Sequence, residues 1–207
     1  MRICMIFISI MMALVTHDAW CAETPIHFDF ENSTEDWVIP SWALDQSDCV
    51  GKNISISPEQ SSSGNKSLKI TCDFPGNSWA AAVVEYEENI DLRGYKNITA
   101  DIYIPKNAPA GFMAAKIIVT AGGPDYWIEM RKAIPLKAGK WITINAPLEA
   151  TPSGELKYWR CKTNEECVIS NLDKVSKIAI RIEYNAWASQ AGPRYVGDVY
   201  IDNVTIE

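Results

Sequence analysis

The sequence predicts an all-β protein built as an antiparallel β-sandwich, and three observations carry that prediction. Apolar residues recur at every second position in runs of strand length. Gly, Pro and Asn punctuate those runs. Helical periodicity is nearly absent; Ser170 to Lys177 (SNLDKVSK) could make one turn or two. Roughly nine or ten strands in this pattern suit two packed sheets better than helices on a sheet.

The first 22 residues stand apart from that pattern. Arg2 gives a short positive start, Ile3 to Val15 is apolar, and Thr16-His17-Asp18 leads to small residues at Ala19, Cys21 and Ala22. That is the anatomy of a secretory signal peptide. The apolar run is shorter than the roughly 20 residues that span a bilayer. Bulky Trp20 stands where a lipid-modified Cys21 would want a small neighbour. The expectation is therefore a signal peptide over 1–22, simple secretion to the periplasm or medium, and one domain over 23–207.

The strands follow in order. IHFDFE places Ile26, Phe28 and Phe30 on one face, and NITADIYI does the same with Ile98, Ala100, Ile102 and Ile104. Similar runs surround SLKITCDF, WAAAVVEYE, FMAAKIIVT and KWITINAPL. In YWIEMRKAI, Ile128 and Met130 should face the core, leaving Trp127, Glu129 and Arg131 outside. In KIAIRIEY, Ile178, Ile180, Ile182 and Tyr184 point one way and Ala179, Arg181 and Glu183 the other. The last run, VYIDNVTIE, breaks phase: Val199 and Ile201 share one face, Val204 and Ile206 the opposite one. Either a β-bulge sits at Asp202-Asn203 or Asp202 lies among buried neighbours. Both put a carboxylate beside the core, where it needs a cation or several hydrogen-bond donors.

A net charge of -7 argues against nucleic acid and anionic membrane surfaces as partners. Outside the signal segment lie Cys49, Cys72, Cys161 and Cys167. An even count in a secreted chain reads as two disulfides. Cys161 with Cys167 closes the short loop CKTNEEC, which leaves Cys49 with Cys72. The spacings match no zinc pattern. Asn-x-Ser/Thr sequons at Asn32, Asn53, Asn65, Asn97 and Asn203 matter only in a host that glycosylates.

Catalytic equipment is thin. Beyond the signal segment His27 is the sole histidine and sits in the first strand, so Ser-His-Asp and Cys-His systems are disfavoured. AGGPD (121–125) reads as a hairpin turn rather than a phosphate loop. If their strands share a sheet, Glu129 and Glu183 could approach as a glycosidase pair. Each, however, has an arginine two residues away on its own face, which favours cross-strand ion pairs.

Four stretches together carry a resemblance: FDFEN with Asp36-Trp37, SSGNKSLKI, AGKWITINAPL, and IRIEYNAW with GDVYIDNVTIE. The chain resembles the galactose-binding-like jelly rolls, the fold of many carbohydrate-binding modules, across residues 26 to 206. The resemblance implies core positions for Trp37 and Trp141, and first and last strands that lie close together. It also implies a structural calcium ion there, held by Asp29, Glu31, Asp202 and backbone carbonyls near Asn65 and Lys66; calcium takes six to eight oxygens. The alternative is that Asp202 caps backbone N–H groups at a bulge.

The resemblance implies a monomeric, non-catalytic module that binds poly- or oligosaccharide. The outward face of Trp127, Glu129, Arg131, Arg181 and Glu183 suits a sugar, since rings stack on pyranose C–H faces while charged groups bond hydroxyls. Trp79, Tyr126 and Trp187 are further aromatic candidates; Trp42 and Trp159 are ambiguous. The competing reading is a structural or adhesive protein that uses the same fold for protein contacts, with a glycoside hydrolase or lyase acting through Glu129 and Glu183 behind it.

Overall fold

The computed structural model describes residues 23–109, 111–121, 126–161, 167–184 and 191–207. Its strands are β1 (Ile26–Phe28), β2 (Gly51–Ser57), β3 (Ser67–Phe74), β4 (Ala80–Ile90), β5 (Asn97–Ile104) and β6 (Met113–Ala121). They continue with β7 (Trp127–Met130), β8 (Ile134–Pro135), β9 (Lys140–Pro147), β10 (Trp159–Cys161), β11 (Val175–Tyr184) and β12 (Tyr195–Ile206). A one-turn helix α1 (Ser41–Leu44) and a 3-10 helix (Ile169–Lys174) complete the described elements.

The strands form two antiparallel sheets, as the alternation predicts. One runs β2-β3-β12-β5-β9, with β1 also on β12; the other runs β10-β7-β6-β11-β4, with β8 on β6. Ile26 pairs with Ile206 and Phe28 with Val204, so the first strand lies along the end of the last. The inward phase of each long strand fills the space between the sheets: Ile98, Ala100, Ile102 and Ile104 from β5 and Ile178, Ile180, Ile182 and Tyr184 from β11 are all buried. Burying each large side chain of this kind contributes about 1.5–3 kcal/mol.

Both explanations of the phase break in the last strand hold. The β12–β5 register shifts between Asp202 and Thr205, Asn203 takes φ 49°, and Asp202 is fully buried.

The cysteine expectation is half met. Cys161 and Cys167 form a disulfide with a Cα–Cα distance of 5.6 Å. The expected Cys49–Cys72 bridge is absent and both thiols are free. Cys72 is fully buried in the core between the sheets, whereas Cys49 runs beside Ala81 along the outer edge of β4, so the two side chains serve opposite surfaces. Trp37 is buried as expected, but Trp141 is not a core residue. It faces outward on β9, paired with Tyr103 of β5 and in ring contact with it at 5.4 Å.

Candidate functional site

The outer face of the β10-β7-β6-β11-β4 sheet has a low floor. Ala81 and Val83 of β4, Ala179 of β11 and Ile118 of β6 form a small apolar patch separate from the main core, and Trp127 packs against it. Short side chains there leave depth for walls to enclose. Segment 38–50 supplies one wall by wrapping the β4 edge: Val38 bridges Glu85 and Cys49 bridges Ala81. The wrap carries Trp42 on α1 over the floor, where its indole Nε1 donates to Glu85 Oε1 at 3.3 Å and its ring meets Trp127 edge-on at 6.2 Å. Trp79, just ahead of β4, completes a groove of about 400 Å³ whose lining includes Glu85, Thr120 and Lys177. Trp42 and Trp79 keep 36% and 38% of their surface exposed, so ring surface remains available.

Next to the groove lies an ionic cluster. Strands β7 and β11 do share the sheet, on either side of β6. Glu129 accepts from Arg160 Nε at 2.6 Å, Lys116 Nζ at 3.2 Å and Arg181 Nη2 at 2.6 Å. Glu183 accepts from Arg181 through Nε at 2.9 Å and Nη2 at 2.5 Å. Glu129, Glu183 and Lys116 are all buried. Burial alone would push the Glu129 carboxyl up, but Arg181, Arg160 and Lys116 together hold it below the ordinary glutamate range. A general acid needs the opposite shift. Glu85 differs: burial raises its carboxyl, and Lys177 and the Trp42 indole only partly offset that.

Of the residues predicted for this face, Trp127, Glu129, Arg181, Glu183 and Trp79 come together. Two predicted residues do not join them. Arg131 lies beyond the end of β7, is exposed, and pairs with Glu155 at 3.2 Å. Tyr126 packs on the main core, its hydroxyl accepting from Asn171 Nδ2 at 3.2 Å. Trp187 lies outside the described residues. Sequence reasoning left Trp42 ambiguous and missed Glu85, Lys116, Arg160 and Lys177. Trp42 sits in a segment with no period; the others lie on strands, where outward phase was their only signal.

The seam between first and last strands has a donor set unlike the expected oxygen shell. Asp202 Oδ2 accepts from the backbone N–H of Ser62 at 2.7 Å and Ser63 at 3.0 Å, and Oδ1 from that of Asn203 at 2.7 Å. Glu31 Oε1 accepts from the N–H groups of Asn65 at 2.7 Å and Lys66 at 2.9 Å, where carbonyls were expected. The turn presenting those donors passes through Gly64 at φ +58°, where a Cβ would lie 2.2 Å from Glu31 Oε1. Lys66 Nζ in turn donates to the Glu31 carbonyl at 2.7 Å, and Asp29 Oδ1 accepts from the Glu31 N–H at 3.0 Å. Among the described residues no three His, Cys, Asp or Glu side chains cluster as metal ligands. N–H groups aimed at the carboxylates do not fit calcium at those oxygens.

The sequence matches the family described as "Mannanase, galactose-binding domain-like" over residues 28–155. The CBM27-1 module of Caldicellulosiruptor saccharolyticus, solved in complex with mannohexaose, is 20% identical with a TM-score of 0.58, covering 89% of this chain and 97% of that one. A module described by its specific mannan recognition, TmCBM27, is 16% identical with a TM-score of 0.52, covering 89% and 98%. A CBM28 module specific for non-crystalline cellulose is also 16% identical, with a TM-score of 0.56 and coverage of 86% and 92%. No curated protein sequence matches the chain. At these identities the structural likeness is one of fold.

Proposed function

We propose, from the premise that this chain belongs to the mannanase, galactose-binding domain-like family, that it is a secreted, non-catalytic module that binds a neutral polysaccharide of the mannan type. The observation that carries the reading is the groove itself: Trp42, Trp79 and Trp127 around a floor of Ala81 and Val83, enclosing about 400 Å³. That size falls within the roughly 300–1,000 Å³ of small-molecule sites. Indole rings stack on pyranose C–H faces, while Glu85, Lys177 and Thr120 offer acceptors and donors to the hydroxyls.

Charge pairing selects for a neutral sugar. Lys177 is held by Glu85 and Glu87, and Lys116, Arg160 and Arg181 by Glu129 and Glu183. Each of these four cations already has a carboxylate partner, so a uronate would have to compete for one. Mannan is the first choice within neutral glycans because two relatives of the same fold are described with mannohexaose or mannan. The non-catalytic reading is supported by the cation-held Glu129 and Glu183, since a glycosidase pair needs one protonated carboxylic acid facing a second, available carboxylate. Secretion rests on the N-terminal segment and is in keeping with the Cys161–Cys167 disulfide.

Affinity electrophoresis tests the proposal. Migration is expected to slow in gels containing galactomannan or glucomannan and to stay unchanged in polygalacturonate. No retardation by any neutral polysaccharide would instead favour a protein-contact role for the same fold.

A further inference from the structure

We infer that Arg181 is the positioning residue of the groove, setting the ring planes of Trp79 and Trp127 without itself touching ligand; the inference rests on the carbohydrate-binding reading above. Its guanidinium carbon lies 5.8 Å from the Trp79 ring centroid and 5.5 Å from that of Trp127. The two rings come from far-apart elements, one ahead of the edge strand β4 and one at the start of β7, with β6 and β11 between. Arg181 stands in the middle of that span, cross-strand from Lys116 on one side and Val83 on the other. One cation therefore sets both aromatic walls.

The orientation of the guanidinium is itself fixed. Glu183 Oε1 takes Nε and Nη2, and Glu129 Oε2 takes Nη2 at 2.6 Å. Glu129 cannot swing away, because Arg160 and Lys116 hold its other oxygen. A planar fork pinned by two carboxylates keeps its carbon within cation–ring range of both indoles, a fixed geometry that a flexible lysine ammonium does not reproduce. The Arg181 side chain is only 12% exposed, so it supports the rings from beneath rather than meeting a sugar. Each ring contact with the cation leaves the remaining ring surface for a pyranose and keeps the two indoles from collapsing onto each other. On this reading the two buried carboxylates, Glu129 and Glu183, are the anchors of that clamp.

The test is Arg181→Lys, which keeps the charge that neutralises Glu129 and Glu183 but loses the plane. Indole N–H resonances of the free protein are compared with wild type, and mannohexaose is titrated into both. The Trp79 and Trp127 signals should shift and broaden, while that of Trp159, buried and donating to the Pro147 carbonyl at 2.7 Å, stays in place. Affinity should fall roughly 10-fold, the scale of having to order two freed ring side chains on binding. Unchanged Trp79 and Trp127 signals overturn the inference, as does a Trp159 signal that moves with them. Because the spectra need no ligand, a wild type that ignores mannohexaose sinks the binding proposal alone. Should Arg181→Lys fail to fold, Glu183→Gln, which removes the charge that pins the guanidinium, must move the same two signals; stationary signals there also overturn the inference.

Discussion

Each sheet carries aromatic rings on its outer face, and the two sets are arranged differently. On the β2-β3-β12-β5-β9 sheet, Trp141, Tyr103 and Tyr200 stand in one cross-strand row, with neighbouring centroids 5.4 and 5.9 Å apart. The Tyr200 hydroxyl is taken by Glu59 at 2.6 Å. On the opposite sheet, Trp42, Trp79 and Trp127 come from a wrapped segment, a strand entry and an inner strand, and surround an empty volume. Rings in register satisfy each other and finish a surface. Rings out of register, propped by a cation and a carboxylate, leave ring area for something else. Aromatic content alone therefore does not locate a binding face; the partner of each ring does.

The largest effect expected from breaking this contrast is on stability. Glu129→Ala leaves Arg181, Arg160 and Lys116 without their shared anion and should cost about 3–5 kcal/mol, read from denaturant midpoints. A midpoint within error of wild type would mean that water already screens the cluster. Next comes affinity: Trp127→Ala should weaken mannan oligosaccharide binding by about 1–3 kcal/mol in titration calorimetry, by analogy with planar ligands on aromatics. Trp141→Ala sharpens the comparison from the other side. It should leave affinity untouched and cost about 0.2–1 kcal/mol of stability through its lost cross-strand pair; a loss of affinity there would move the platform to the other sheet.

The pH response separates Glu129 from Glu85, two of the three buried glutamates on this face. The folded-state pKa of Glu129 lies below the ordinary value of 4.5, so its contribution is present above pH 4.5 and is lost as pH falls through the folded value. Glu85 lies above 4.5, so the folded state holds its proton longer and stability declines as pH rises from 4.5 through the raised value. Stability profiles of Glu129→Gln and Glu85→Gln should lose the acid-side fall and the upper decline respectively. Profiles that change together would show that the pair titrates as one unit. The smallest effect, none at all, is expected at the strand seam. A strong chelator should leave the melting temperature unchanged because Asp202 and Glu31 already face N–H donors; a drop that calcium reverses would restore the ion.

Much of the fold was legible because alternation reports directly on which side of a sheet a residue lies. KIAIRIEY and YWIEMRKAI placed Arg181, Glu183, Trp127 and Glu129 on the face where they are found. The same signal was present in KWITINAPL, where Trp141, Thr143 and Asn145 alternate with buried Ile144 and Ala146, and family position misled where phase would not have. Trp42 was illegible for a different reason: its place depends on segment 38–50 folding over an edge strand, a long-range event with no local period. Lys116 looks like a lone cation in an apolar strand until the β6–β7 pairing sets it near Glu129. The cysteine count failed because parity in a sequence says nothing about which side of a sheet each thiol occupies.

The pairing of β1 with the end of β12 governs how the protein answers mechanical load. Ile26 lies opposite Ile206, so force applied at these two strand ends pulls the ladder open from its terminus, one bond after another, rather than shearing all of it at once. β1 pairs with β12 through Ile26, His27 and Phe28, whereas β12 is flanked by β3 and β5 deep in its sheet. A tether through these ends would peel β1 first and leave the β10-β7-β6-β11-β4 face, with its groove, intact. Single-molecule pulling should accordingly show a low-force event ahead of the main rupture.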